Sequence, residues 1–238
     1  MVDPNLYSTK SSLCLSKFPY FIGDFHCNFH CSLQGAVDDC LAGRFEFTVN
    51  LVCQSKLSYF KGDVILLPNG THELYDVGDL KTCLHIIGVG DNGKIKLILD
   101  CGFEYELVAQ GTATSFQFEN LDISSKTKQH GILVRDQAKL SLKQCRMKNF
   151  AKSIEVRNSS SCEVKWSEIS DCTIAVSLEE KASFRTIGGL FEDCVTGILA
   201  EGDSLNENTI IEDTDNYACN EIEFVKPKVT VKIDIQTD

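Results

Sequence analysis

The stretch that decides the fold reads AKLSLKQCRMKNFAKSIEVRNS (138–159), SSCEVKWSEISDCTIAVSLEEK (160–181) and ASFRTIGGLFEDCVTGILAEGD (182–203). Set one under another, these three lines of 22 residues align without a gap. Leu140 and Leu142 stand over Cys162 and Val164, then over Phe184 and Thr186. Met147, Ile169 and Phe191 form a second column, and Ile154, Val176 and Ile198 a third. Apolar residues two apart share one face of an extended strand and would scatter around a helix. A fixed period of this length means stacked units, so each line is one coil of short strands. Asn149, Asp171 and Asp193 fall where the chain must turn, and Asn and Asp tolerate left-handed backbone there. The pattern predicts an all-β, single-stranded right-handed parallel β-helix, a solenoid whose equal positions lie about 4.8 Å apart along the axis. A single coil cannot bury its apolar face, so the rest of the chain should supply more coils and a cap.

Working outward, the repeat extends back to Thr114, with Phe116 and Phe118 in the first column pair and Leu121 and Ile123 in the next two positions. The interval from Thr114 to Ala138 is 24 residues, so SSKTKQH (124–130) carries two extra residues as a loop on one side. Earlier still, LHIIGVGDNGKIKLIL (84–99) reads as two strands separated by glycines. KGDVILLPNGTHEL (61–74) reads as a turn, a strand over Val64–Leu67 and a Pro-Asn-Gly turn, and FEFTVNLVCQSKL (45–57) as a further strand. SLQGAVDDCLA (32–42) predicts a short capping helix, with Ser32 at its start and Gly43 at its end. The expected organisation is a leader over 1–31, a β-helix over 32–225 with regular coils at 138–203, and a strand or tail over 226–238. After Asp203 the pattern decays, with Asn206 and Asn208 in place of an apolar pair, which predicts that the stack ends there.

Composition narrows the partners. A net charge of −11 over 238 residues argues against nucleic acid as the ligand. No segment is long and apolar enough to span a bilayer as a helix. The first residues lack the apolar core of a secretory signal, so the expectation is a cytoplasmic protein whose twelve Cys are thiols. Cys172 and Cys194 share a column, at a spacing that a disulfide can bridge; in a reducing compartment they read instead as an apolar stack.

Three groupings qualify as chemical sites. HCNFHC (26–31) offers His26, Cys27, His30 and Cys31 as soft ligands, with Cys40 and Cys53 as completions. Zinc needs four ligands and no second close pair follows, so no metal is assigned. Glu212, Asp213 and Asp215 are the nearest thing to a carboxylate cluster, yet no basic residue accompanies them, and His130 sits in the inserted loop without an acidic neighbour in sequence. No catalytic residue or cofactor is assigned. The candidate partner or glycan surface is Lys143, Arg146, Lys148 and Lys165 beside Trp166, a basic cluster suited to an acidic segment, with an indole suited to a sugar face. A merely solvated, solubilising face is the other reading.

The ordered motifs LQGAVDDCLAG, KGDVILLPNGTHEL and LHIIGVGDN, followed by short β-coils, resemble the amino-terminal end of pectin-lyase-like right-handed β-helices. More narrowly, the Cys-rich coils and the segment from 61 to 99 resemble the intracellular branch that includes Nessun Dorma and the Shc-binding, spindle-associated proteins. Members of that branch carry a further amino-terminal region not found in this sequence. The resemblance implies a non-enzymatic adaptor that joins centralspindlin at the cleavage furrow and midbody, and binds galactose-containing glycans. A polysaccharide-active enzyme, or its degenerate relative, is the alternative. A substrate-recognition module of an intracellular ubiquitin ligase is a third reading, since β-helices of this sort also occur there.

Overall fold

The computed structural model describes residues 63–75, 79–91 and 93–201, together with the backbone of four later strands. The leader, the helix expected at 32–42, the strand expected at 45–57 and the HCNFHC motif lie outside the described residues.

Strands recur in triplets. The first is β1 (Asp63–Leu67), β2 (Gly70–Leu74) and β3 (Asp79–Leu80), and the second is β4 (Cys83–Gly88), β5 (Ile95–Leu99) and β6 (Tyr105–Gln110). The third is β7 (Ser115–Glu119), β8 (Asp122–Ser125) and β9 (His130–Arg135), followed by β10 (Lys139–Lys143), β11 (Arg146–Lys148) and β12 (Lys152–Val156). Next come β13 (Ser161–Lys165), β14 (Glu168–Ser170) and β15 (Ile174–Leu178), then β16 (Ser183–Ile187), β17 (Leu190–Glu192) and β18 (Thr196–Glu201). The last are β19 (Ile210–Glu212), β20 (Asp215–Tyr217), β21 (Glu221–Val225) and a short β22 (Lys232–Ile233).

Each triplet places one strand in each of three parallel sheets of eight, seven and seven strands, here called A, B and C in chain order. The register is that of the sequence columns. Leu140 pairs with Cys162 and Cys162 with Phe184 in sheet A; Met147 pairs with Ile169 and Ile169 with Phe191 in sheet B. In sheet C, Ile132, Ile154, Val176 and Ile198 stack one above another. All of these point inward and are buried in one continuous apolar core. The stack does not stop at Asp203. β19, β20 and β21 add a strand to each sheet and β22 pairs in parallel with β19. Backbone pairing carries the coil on where the side-chain pattern weakens, because the ladder of N–H and C=O groups is indifferent to sequence.

Corners repeat as regularly as strands. From sheet B to sheet C, Asn149, Asp171 and Asp193 take φ of 63°, 55° and 51°, the left-handed turn expected of them. From sheet C back to sheet A, two consecutive residues are left-handed in three successive coils: Asp136 and Gln137, Asn158 and Ser159, Glu180 and Lys181. Each pair is closed by an N–H donated three residues back, as from Ser160 to the Arg157 carbonyl at 3.2 Å. A buried carboxylate ties two coils together. Glu106 is fully buried, and its two oxygens accept from the Cys101 N–H at 2.7 Å and the Ser125 hydroxyl at 2.6 Å, pinning the wide connection between β5 and β6 to the next coil.

Candidate functional site: the corner between sheets A and B

The corner after each sheet A strand is a single left-handed residue. Asn120, Gln144, Trp166 and Gly188 occupy it in successive coils, at φ of 57°, 52°, 48° and 59°. The first three amides are fixed by the coil above: Asn120 donates to the Lys143 carbonyl at 3.0 Å, Gln144 to Lys165 at 3.0 Å and Trp166 to Ile187 at 2.9 Å. Asn suits the position, and the Asn120 side-chain amide adds a 2.9 Å bond to the Gly88 carbonyl. Trp gains nothing there, because a bulky side chain with positive φ is strained and an indole makes no compensating bond to its own turn. Trp166 nevertheless stands 58% exposed. Its indole rests on the next corner, where a Cβ on Gly188 would lie 2.6 Å from Trp166 Cδ1 and 3.2 Å from Nε1. The glycine leaves the notch into which the ring edge settles.

The four cations flank this ridge. Lys143 and Lys165 are register partners on sheet A, while Arg146 and Lys148 sit two apart on β11 of sheet B. They do not form a bare basic patch. Lys143 pairs with Glu119 at 2.6 Å, Lys165 with Glu163 at 2.8 Å, Arg146 with Glu168 at 2.8 Å and Lys148 with Asp122 at 3.3 Å. Each charge is met by an acid of its own coil or of a neighbouring one. The surface is therefore an aromatic platform framed by alternating charges and carries little net field. Such a frame offers donors and acceptors in equal measure, which matches a sugar's hydroxyls better than it matches a run of carboxylates.

A second polar grouping lies on the outer side of sheet C. Tyr105 and His130 are register partners, with rings edge to face at 5.1 Å. The Tyr105 hydroxyl donates to Glu155 Oε2 at 2.8 Å, Lys152 Nζ reaches the same oxygen at 2.5 Å, and Arg157 Nη1 lies 3.4 Å from Oε1. Lys152 also lies 3.9 Å from Glu179 Oε1. Burial, and then the bond to Glu155, push the Tyr105 phenol well above its ordinary value. His130 opens β9; it is not in the inserted loop, because the extra residues fall at 126–129 and leave it in the strand. The carboxylates that do come together are Glu155 and Glu179, both within reach of Lys152, although the 22-residue register pairs Glu155 with Ser177 and leaves Glu179 two residues further on. Both face cations, and Glu155 is only 2% exposed. Acid–base work on a polymer requires a carboxyl that the substrate can reach. Of the residues expected at 212–215, Glu212 closes β19 and Asp215 opens β20.

Among the described residues no group of three or more His, Cys, Asp or Glu is placed to hold a metal ion, and no helix is long and apolar enough to cross a membrane. The six described cysteines are thiols. Burial pushes the Cys145 thiol up to about 12.

The family model described as the right-handed beta helix region matches residues 107–231, more than half of the chain. The chain belongs to the right-handed β-helix family. It is 33% identical over 123 residues to the protein nessun dorma of Drosophila melanogaster, a match that covers 50% of this chain and 20% of that protein. The chain thus spans about a fifth of the curated relative's length. Among solved structures, the A-module of the mannuronan C-5 epimerase AlgE4 from Azotobacter vinelandii is similar over 86% of this chain and 68% of that one, with a TM-score of 0.46 and 14% identity.

Proposed function

We propose that this β-helix is a non-enzymatic binding module whose recognition element is the Trp166 corner. The observation that carries the reading is the exposed indole held on a strained left-handed backbone against the Gly188 notch. Strain kept at an exposed aromatic is stability given up for something other than folding. The ligand that fits is a saccharide, with one apolar ring face on the indole and its hydroxyls among Lys165, Glu163, Lys143 and Glu119. Galactose-containing glycans are the first class to test, on the strength of the resemblance to the nessun dorma branch and the partial match to that protein. The same resemblance supports a cytoplasmic adaptor that joins centralspindlin at the cleavage furrow and midbody.

Titration calorimetry with galactose-terminated oligosaccharides tests the site. Binding by the native chain, and at least a tenfold loss in Trp166→Ala and in Lys143→Glu with unchanged melting, is the expected result. Equal binding by all three removes the corner from consideration. Affinity capture from dividing cells tests the adaptor role, and a capture free of spindle and furrow components sinks it.

The alternative, a polysaccharide-active enzyme, draws on the convergence of Tyr105, His130, Lys152, Glu155 and Glu179 on sheet C. Turnover of an acidic polysaccharide that is lost in Glu179→Gln, the more accessible of the two carboxylates, would establish it in place of the binding reading.

A further inference from the structure

We infer that Cys172 and Cys194 are a thiol pair poised to close, reversibly, into a disulfide that clips two adjacent coils together. Each follows the left-handed residue of a sheet B to sheet C corner, Asp171 at φ 55° and Asp193 at φ 51°. Identical corners make the two residues copies of one another displaced along the axis by one coil, about 4.8 Å, inside the Cα separation of about 4.4–6.8 Å that a disulfide spans. The coils are locked in that register on the far side of the pair, where the Val195 amide donates to the Cys172 carbonyl at 3.2 Å and the Thr196 amide to Thr173 at 2.9 Å.

The Cys194 sulfur bridges the two coils. Cys172 Sγ donates to the Ser170 carbonyl at 3.1 Å, while Cys194 Sγ lies 3.4 Å from the equivalent Glu192 carbonyl of its own coil and 3.6 Å from the Ile169 carbonyl of the coil that carries Cys172. Cys194 Sγ thus comes within reach of the coil on which Cys172 sits. A hydrogen bond between the two side chains, offset by burial, holds the Cys172 thiol below its ordinary range, whereas burial raises Cys145 and Cys162. The thiols themselves are buried, but the pair lies just under an exposed corner: Asp171, Thr173, Asp193 and Val195 all face solvent.

The chemistry is thiol–disulfide exchange with a small disulfide such as oxidised glutathione. The Cys172 thiolate attacks one sulfur of that disulfide, forming a mixed disulfide and expelling one glutathione thiolate, which takes up the proton that Cys172 gave. Cys194, deprotonated in turn, attacks Cys172 Sγ and expels the second glutathione as a thiol. The protein loses two electrons and two protons, and the small disulfide gains them.

Oxidised glutathione is added to the folded full chain, the remaining thiols are blocked with N-ethylmaleimide under denaturing conditions, and the proteolytic peptides are mapped by mass spectrometry. The expected result is a link between the peptides that carry Cys172 and Cys194, reversed by dithiothreitol. It should be absent in Cys172→Ala, retained in Cys145→Ala, and accompanied by a melting temperature raised by roughly 5–10 °C. Glutathione left on Cys172 with Cys194 free, or oxidation confined to other cysteines, would overturn the inference. Because the peptide map is read on the unmutated chain, a variant that fails to fold does not decide the outcome.

Discussion

Trp166 and Gly188 together show what one residue contributes here. A non-glycine residue with left-handed backbone is disfavoured by about 1–2 kcal/mol, and Asn bears this better than Trp. Trp166→Asn is therefore expected to leave unfolding free energy unchanged or to raise it by up to about 1 kcal/mol, while glycan capture is lost. A fall of several kcal/mol in denaturant unfolding would mean that the indole is a structural part and not a recognition element. Gly188→Ala should lower stability and weaken glycan capture together. Its Cβ meets the indole at 2.6 Å and its φ is +59°, so stability falls by about 1–2 kcal/mol and the ring is pushed off its notch. His85 supplies the pH dependence. Burial lowers its pKa below 6.5, with Glu119 at 3.8 Å opposing the shift and Lys143 adding to it. The folded chain holds the ring neutral and the unfolded chain protonates it more readily. The stability present above pH 6.5 is accordingly lost as the pH falls through the unfolded value toward the folded one. Thermal melts from pH 7.5 to 5 should show this loss, and His85→Gln should shrink it.

At the scale of the strand, the inward columns carry the stability. Ile154 lies between Ile132 and Val176 with no solvent exposure, and Ile154→Ala should lower unfolding free energy by about 2–5 kcal/mol, measured in urea. This column was legible in the sequence, because a buried position recurs at the period of the backbone that creates it. So were the Asn149, Asp171 and Asp193 corners, where side-chain chemistry and backbone geometry agree. The Trp166 corner was not legible as a turn, since nothing in a Trp side chain favours a positive φ. The compensation of the cations was readable in principle: Arg146 and Glu168 are 22 residues apart at equal offsets, and their pairing follows from placing one line over the next. The Tyr105, His130 and Glu155 grouping escaped because the coils that build it are irregular. The interval between register partners is 32 residues from Leu84 to Phe116 and 24 from Phe116 to Leu140, and a column is visible only where the interval holds.

For the molecule as a whole, the period is a unit that can be removed. Deleting Ala138–Ser159, one full line of 22 residues, joins Gln137 to Ser160 and leaves every remaining strand facing its proper neighbour. The shortened chain should keep a β-type circular dichroism spectrum and a cooperative melt. Deleting 21 residues, Ala138–Asn158, moves every downstream side chain one place against its ladder and should leave an unfolded or aggregated product. If both deletions behave alike, register does not govern this fold.

The stacked coils also set the order in which the molecule opens. An amide in β12 is released only when a neighbouring coil has peeled away, so deuterium uptake should form a gradient along the axis, fastest toward the terminal coils and slowest near Ile154 and Val176. Anything that grips one corner will slow exchange in the coil it touches and in the two beside it, and leave distant coils unchanged. The protein thus records the position of a bound partner in its own isotope pattern.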